Sequence, residues 1–233
     1  MSVEFEVVED PARACSALLV GAAAAEGHIV LAGGSTPRAA YTQFVDAVRD
    51  VGIKVGGATL WFGDERCVAP DDERSNYLMV KRSLLDALGD CNQPHVERIH
   101  GELGPTPAAD AYEQALRGAG SPEFDLVLLG IGADGHTASL FPNQPSLSER
   151  TRWAVGVAQP GLEPFVPRVT LTLPALASAR HVVFLATGQS KAAAVARAFG
   201  ADAKPDPRIP SSMLVARAKW ITVLLDPPAA ANL

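Results

Sequence analysis

The stretch FDLVLLGIGADGH (residues 124–136) is the part of the sequence that decides the class of fold. Apart from Asp125, its first seven residues form an apolar run, which is typical of a strand covered on both faces. A loop rich in glycine follows directly and carries an aspartate and a histidine. The stretch therefore predicts a buried strand whose end presents polar side chains.

Segments with strand and helix patterns alternate on both sides of this stretch. The other predicted strands are residues 5–8, 29–32, 59–62, 153–157, 169–173, 182–186 and 221–225, with a short one near Ile99. The predicted helices are residues 11–26, 75–88, 108–116 and 190–199, and one more that is capped by Ser35 or Thr36 and ends near residue 49; residues 63–74 are predicted to be a loop. This alternation predicts an α/β fold with a mostly parallel sheet, in a single domain over residues 1–233.

Composition and charge exclude several classes of function. The chain has 233 residues and a net charge of −6, whereas a general nucleic-acid binder needs a basic face. Its three cysteines, Cys15, Cys67 and Cys91, are widely spaced and predict free thiols, not a zinc ribbon or disulfide framework. The acidic N-terminus does not resemble a signal peptide, and no apolar run is long enough to span a bilayer. We expect a cytoplasmic protein without nucleic-acid or membrane partners, either a monomer or a weak homodimer.

Four unusual segments each follow directly after a predicted strand. They are residues 33–36, 63–66, 130–136 and 187–191. In open parallel sheets, ligands bind outside the carboxyl ends of the strands. The four segments are therefore expected to converge on one site.

Two of these segments could hold an anion. Gly33, Gly34, Ser35 and Thr36 place small residues, hydroxyls and free backbone N–H groups at a helix start, which suits a phosphate. A tight turn with an N-cap and no ligand explains the same residues equally well. Lys191 lies in the first turn of another predicted helix, where a bound anion would offset its unfavourable position, although a solvated lysine is the simpler interpretation.

The loop of residues 130–136 contains the strongest catalytic candidate. His136, flanked by Gly135 and close to Gly132 and Asp134, is exposed to whatever binds there and suits proton transfer near neutral pH. The loop formally matches GxGxxG, but Pro142 leaves little room for the long helix of a dinucleotide site, and the next strand does not end in an acid. We therefore predict no nicotinamide cofactor.

Charged residues at two other strand ends could complete the site. Asp64 and Arg66 follow one strand, and arginine suits a phosphate, a carboxylate or a developing oxyanion, although a solvated charge run explains them too. Asn76 is either a neutral donor or a helix cap, and Arg168 either reaches a phosphate or merely starts a strand. The sequence lacks GxSxG, HExxH and EF-hand patterns, so neither a serine hydrolase of that type nor a metal is indicated.

Five segments together resemble a known family. They are LAGGSTPRAAY (residues 31–41), WFGDERCVAPDDERSNY (61–77), LLGIGADGHTASLFP (128–142), RVTLTLPAL (168–176) and ATGQSKAAAV (186–195). They are similar, in order and over nearly the whole chain, to the glucosamine-6-phosphate isomerase/6-phosphogluconolactonase family, and within it to the 6-phosphogluconolactonases. The resemblance implies a three-layer αβα fold and hydrolysis of a small sugar phosphate, 6-phosphogluconolactone, without a cofactor.

The resemblance also implies roles for individual residues. His136 would be the catalytic histidine, with Asp64 and Arg66 near the reacting end. Residues 33–36, Arg168 and Lys191 would hold the phosphate. The deaminases of the same family are the alternative, but they carry a glutamate where this sequence has Phe141, and asparagine replaces a common glycine at position 143.

Overall fold

The computed structural model describes residues 2–233 apart from the side chains of Ser2 and Cys91. The predicted domain includes Met1 and the predicted free thiols include Cys91, but Met1 and the Cys91 side chain lie outside the described part of the structure. The main sheet is parallel, has seven strands and follows the order β1-β10-β9-β6-β2-β3-β5. Its strands are β1 (Ser2–Val7), β2 (His28–Leu31), β3 (Thr59–Phe62), β5 (His95–Val96), β6 (Leu126–Leu129), β9 (His181–Ala186) and β10 (Trp220–Leu225).

A second, smaller sheet is antiparallel and has the order β4-β8-β7. It consists of β4 (Asp64–Arg66), β7 (Ala154–Val157) and β8 (Arg168–Leu171). The predicted strands at residues 153–157 and 169–173 therefore exist but lie outside the parallel sheet. The prediction of a loop throughout residues 63–74 was wrong, because β4 is three polar residues long and is stabilised by pairing with β8, far away in the chain.

Helices cover the main sheet and give the predicted three-layer α/β architecture. They are α1 (Pro11–Ala24), α2 (Ser35–Val51), α3 (Asn76–Val80), α4 (Asp86–Leu88), α5 (Pro105–Gly118), α6 (Leu173–Ala177), α7 (Ala192–Phe199) and α8 (Ser212–Val215). A π-helical segment, Lys81–Leu85, joins α3 to α4. The predicted helix at residues 75–88 is thus one continuous helical stretch with a π-helical segment in its middle. Ser75 caps it by accepting a hydrogen bond from the Leu78 N–H at 3.2 Å.

The strand predicted near Ile99 was misplaced. The structure has a two-residue strand at His95–Val96 instead, and Ile99 is a buried core residue beyond it. An apolar side chain in a short loop is as buried as one in a strand, so the apolar pattern could not separate the two cases.

The chain order of the parallel strands reverses between β2 and β6. From β2 the chain adds β3 and then β5 on one side, and from β6 it adds β9 and then β10 on the other. The two strands are paired at Ile29 with Leu126 and at Val30 with Val127. A crevice at the carboxyl ends of β2 and β6 is therefore the place where this topology forms a ligand site.

Large side chains fill the core between the sheet and the helices. Trp61, Phe124 and Phe184 are at most 1% exposed. The Trp61 indole N–H donates to Nδ1 of His28 at 3.0 Å, so the polar atom of this large ring does not go unsatisfied. None of the helices formed by the described residues is long and apolar enough to cross a membrane.

The two described cysteines, Cys15 and Cys67, have free thiols with raised pKa values. Burial raises the pKa of Cys15 to about 12, and burial together with the charge of Glu65 raises the pKa of Cys67 to about 11. The thiolate is the reactive form of cysteine, so both side chains stay unreactive at neutral pH.

The glycine at position 21 gives a test of the helical framework. Gly21 lies inside α1, and an added Cβ would meet nothing within 4 Å. Gly21→Ala is expected to raise the free energy of unfolding by about 0.4–1 kcal/mol, because alanine reduces the freedom of the unfolded chain. Urea denaturation measures the change, and an unchanged or lower midpoint would contradict it.

Candidate active site

The four segments predicted to converge line one cavity at the carboxyl edge of the main sheet. Its volume is about 380 Å³. Of the predicted site residues, the lining contains Gly33, Gly34, Ser35, Thr36, Asp64, Arg66, Gly132, His136, Arg168 and Lys191. Asn76, Asp134 and Gly135 lie outside this lining but form hydrogen bonds with Asp64, His136 and Gly132, respectively, which belong to it.

The helix start at this cavity differs from the predicted one. Neither Ser35 nor Thr36 is the N-cap of α2; that position is taken by Gly34, whose φ of +106° favours glycine. Ser35 and Thr36 are therefore the first two helical residues, and within residues 2–233 no side chain caps this helix start. The first-turn N–H groups stay available to an anion, and the helix dipole favours one.

Lys191 lines the same cavity and lies in the segment that follows β9. It ends a 3₁₀ turn, Gln189–Lys191, that precedes α7, so the helix begins slightly later than predicted. The carboxylate of Asp226 accepts hydrogen bonds from the Gly188 N–H at 2.9 and 3.0 Å and holds this turn. The hydroxyls of Thr36 and Thr187 lie 3.1 Å apart, which joins the lysine segment to the start of α2.

Asp134 is the acid that contacts His136. Its Oδ1 lies 2.6 Å from Nδ1 of His136 and accepts the His136 backbone N–H at 3.1 Å. Burial raises the pKa of Asp134, but the hydrogen bond and the charge of His136 outweigh it and leave the pKa below its ordinary value. Since Nδ1 is engaged, Nε2 is the ring nitrogen that remains for a ligand.

Gly132 makes room for this pair. A Cβ at position 132 would lie 2.0 Å from Nδ1 of His136 and 2.5 Å from Oδ1 of Asp134. The backbone N–H of Gly132 also donates to the carbonyl of His136 at 2.9 Å, which closes the loop. The glycine is thus required by close approach and not by its φ angle.

Asp64 is held by a separate set of partners. It is 7% exposed, and its two carboxylate oxygens accept from the Asn76 amide at 3.0 Å and from the Ser139 hydroxyl at 2.5 Å. Sequence reasoning missed Ser139, since only its position three residues after His136 could have suggested it. The geometry thus gives the two acids, Asp134 and Asp64, different surroundings.

Glu65, the acid next to Asp64, is buried and connects β4 to the start of α3. It is 3% exposed and accepts hydrogen bonds from Ser75, Asn76, Tyr77 and the Arg66 N–H. Burial raises the pKa of Glu65, although the backbone donors act to lower it. This carboxylate fixes the start of α3 against β4 and so positions Asn76 beside Asp64.

Arg66 and Arg168 are direct cross-strand neighbours in the small sheet. Arg66 donates to the carbonyl of Arg74 at 2.6 Å, and Arg168 donates to those of Leu162 and Pro164 at 3.3 and 3.1 Å. Within residues 2–233, both Nε atoms are buried without a hydrogen-bond partner.

Arg168 is the more deeply buried of the two. It is 4% exposed, and its guanidinium lies 5.5 Å from the centre of the Phe141 ring. Burial lowers its pKa, and the charge of Asp64 partly offsets that effect. Since arginine remains charged, two like charges face each other here, and an anion would relieve both the repulsion and the unsatisfied donors.

The chain is similar to known proteins in both sequence and structure. The model of the family described as glucosamine-6-phosphate isomerases/6-phosphogluconolactonase matches residues 5–223. The chain belongs to this family. A 6-phosphogluconolactonase of Mycobacterium tuberculosis is 38% identical over 252 aligned residues, which cover 100% of this chain and 99% of that protein.

Solved structures agree with the family assignment. The 6-phosphogluconolactonase from Trypanosoma cruzi is 29% identical, with a TM-score of 0.80 over 100% of this chain and 97% of that one. A monomeric glucosamine-6-phosphate deaminase has a TM-score of 0.84 at 20% identity, covers 100% of both chains, and shows that the fold is shared.

The structure describes the surroundings of positions 141 and 143, which the sequence resemblance singled out. Phe141, at the place of the deaminase glutamate, is 1% exposed, and its ring centre lies 5.0 Å from that of His136. Asn143, where glycine is common, has a φ of +58°, a conformation that asparagine tolerates better than most residues. The exchange of glycine for asparagine is therefore compatible with the local backbone.

Substitution of Gly132 tests whether the histidine pair needs its observed geometry. Gly132→Ala is expected to displace the imidazole and lower kcat by about 10²-fold, because misplacing a catalytic group by about 1 Å has that effect. Gly118→Ala is the matched control, since an added Cβ there meets nothing within 4 Å. Steady-state kinetics with a phosphorylated lactone measures the effect, and equal kcat values for both variants would contradict it.

Proposed function

We propose that this chain hydrolyses 6-phospho-D-glucono-1,5-lactone to 6-phospho-D-gluconate, in the oxidative pentose phosphate pathway. The observation that carries the proposal is a histidine–aspartate pair in the same cavity as a helix start and three cationic side chains. Relatives named 6-phosphogluconolactonase, one of them matched over 99% of its length, support the same reaction. A lactone needs only an activated water and stabilisation of an oxyanion.

His136 acts as the general base in this proposal. Its Nε2 takes a proton from water as the water oxygen bonds to C1 of the lactone. The C1–O5 bond then breaks, and the imidazolium returns the proton to the departing ring oxygen. Asp134 keeps Nδ1 protonated and stabilises the imidazolium, and general-base assistance of this kind contributes about 10²–10⁴-fold.

The oxyanion needs a donor that has no other partner. We assign this role to Arg66, which lines the cavity and has a buried Nε without a partner within the described residues. Arg168 meets both conditions as well, but the resemblance assigns it to the phosphate. Removing one such donor typically costs about 10²–10³-fold in kcat. Asp64 is proposed to act indirectly, by holding Ser139 and Asn76 in place beside the reacting end.

The phosphoryl group is proposed to bind where α2 begins. Residues 34–36, with free N–H groups at the helix start, and Lys191 line the same cavity, and the Thr36–Thr187 contact joins the two segments. Arg168, which the resemblance assigns to the phosphate, adds positive charge to the same cavity. The local charge offsets the overall charge of −6, which repels anions.

Variants of the histidine pair test the proposed base. His136→Ala is expected to lower kcat by about 10³-fold while 6-phosphogluconate still binds, and Asp134→Asn by a similar factor because the tautomer is lost. Lactone hydrolysis at mildly acidic pH is the assay, because the uncatalysed reaction is slower there. Near-normal kcat for His136→Ala would end the proposal, and release of ammonia from glucosamine 6-phosphate by the parent would favour the deaminase alternative.

A lysine variant tests the phosphate end. Lys191→Ala is expected to weaken binding of 6-phosphogluconate by about tenfold, since a hydrogen bond to a charged group contributes about 1.5–3 kcal/mol. Lys54→Ala removes an exposed lysine outside the cavity and is the control. Isothermal titration measures both, and equal affinities for the two variants would place Lys191 outside the phosphate site.

Three features stay predictions. They are the single domain, the cytoplasmic location, and the state of monomer or weak homodimer. One cluster of buried apolar side chains that joins both sheets supports the first of them.

A further inference from the structure

Tyr41 makes an unusual pair of hydrogen bonds at the start of the proposed phosphate loop. Its side chain, from α2, is fully buried. Its hydroxyl accepts the Ala32 N–H at 2.9 Å and donates to the Ala32 carbonyl at 2.8 Å. Ala32 is the residue after β2 and directly precedes Gly33.

The position of these bonds explains why they are needed. The last registered pair of β2 with β6 is Val30 with Val127. Two residues later, at Ala32, the same side of the backbone faces the crevice, and the described strands provide it no partner. Ala32 is only 9% exposed, and leaving its buried N–H or carbonyl unpaired would be costly, so the phenol replaces the missing strand.

Tyr112 repeats this arrangement at the second site loop. This side chain, from α5, is 2% exposed, and its hydroxyl accepts the Phe62 N–H at 2.8 Å and donates to the Phe62 carbonyl at 3.1 Å. The last registered pair of β3 with β5 is Leu60 with Val96, again two residues earlier. Phe62 directly precedes Gly63 and Asp64.

Simple core packing does not explain both hydroxyls. A phenylalanine would fill either site with nearly the same volume, whereas each phenol pairs both backbone groups of a single residue. Burial raises the pKa of both tyrosines above the ordinary value, so each phenol keeps its proton at neutral pH and can donate. The third tyrosine, Tyr77, has no hydroxyl hydrogen bond in the part of the chain that the structure describes.

We propose that Tyr41 and Tyr112 are positioning residues that replace a missing strand beside two loops of the active site. Tyr41 fixes residues 33–36 and thereby sets the affinity for the substrate's phosphoryl group. Tyr112 fixes Asp64 and Arg66 and thereby sets the rate of the chemical step. The inference rests on the proposed hydrolysis, but its structural half concerns the backbone alone.

The experiment compares Tyr41→Phe, Tyr112→Phe and the control Tyr77→Phe. Tyr41→Phe is expected to raise KM for the phosphorylated lactone and Ki for inorganic phosphate about tenfold, with a smaller change in kcat. Tyr112→Phe is expected to lower kcat about tenfold while Ki for phosphate stays within twofold. Tyr77→Phe should change none of these constants more than twofold.

Amide hydrogen exchange, followed by NMR, provides a readout that needs no substrate. The Ala32 N–H should exchange faster in Tyr41→Phe and the Phe62 N–H in Tyr112→Phe, each without the other. Faster exchange with unchanged KM, kcat and Ki would reduce the phenols to a structural role and overturn the proposal.

Unchanged amide exchange in both variants would overturn the proposal as well. If one variant fails to fold, the other still tests the part of the proposal that concerns its own tyrosine. If the parent hydrolyses no lactone, the proposed function fails by itself. Exchange and phosphate affinity would then still decide whether Tyr41 positions the anion loop.

Discussion

The separation of β2 from β6 beyond Val30 and Val127 is the constraint on which the site depends. Up to that pair the two strands exchange backbone hydrogen bonds, and beyond it the two segments continue into different loops. The gap gives a ligand access to the strand ends, but it also removes partners from buried backbone groups. A loop at this edge that lacks a neighbouring strand must therefore be held by other groups, whereas residues 64–66 are also held by pairing with β8.

The cavity is positively charged although the protein as a whole is negatively charged. The chain carries a net charge of −6, yet Arg66, Arg168 and Lys191 all line one cavity. Burying Arg168 beside another arginine, without a carboxylate salt bridge among the described residues, costs stability in the empty protein. An anion bound beside these two arginines would recover part of that free energy as binding.

Most of the fold could be predicted from the sequence because most of the parallel strands are short and apolar, and a glycine follows β2, β3, β6 and β9 within two residues. Strand Thr59–Phe62 has the predicted bounds, and the four loops line one cavity as expected. Strand β4 was missed because its three polar residues are stabilised only by distant partners. The cap of α2 was misplaced because the serine and threonine patterns are those of an N-cap, while Gly34 alone tolerates the φ angle that the turn needs. The contact of Asp134 with His136 is local, whereas the partners of the Asp64 carboxylate, Asn76 and Ser139, come from two other segments that no spacing rule connects.

The loops that follow the four strands share one physical solution, although different residues provide it. Tyr41 pairs Ala32, Tyr112 pairs Phe62, the Thr137 hydroxyl donates to the Gly130 carbonyl at 2.9 Å, and Asp226 accepts the Gly188 N–H. Each partner is a side chain bound to the backbone just before or within a site loop. Side chains can satisfy a backbone group without occupying the space that another strand would fill. The cavity can therefore stay open to substrate while the loops around it keep a fixed geometry, which is what preorganised catalysis requires.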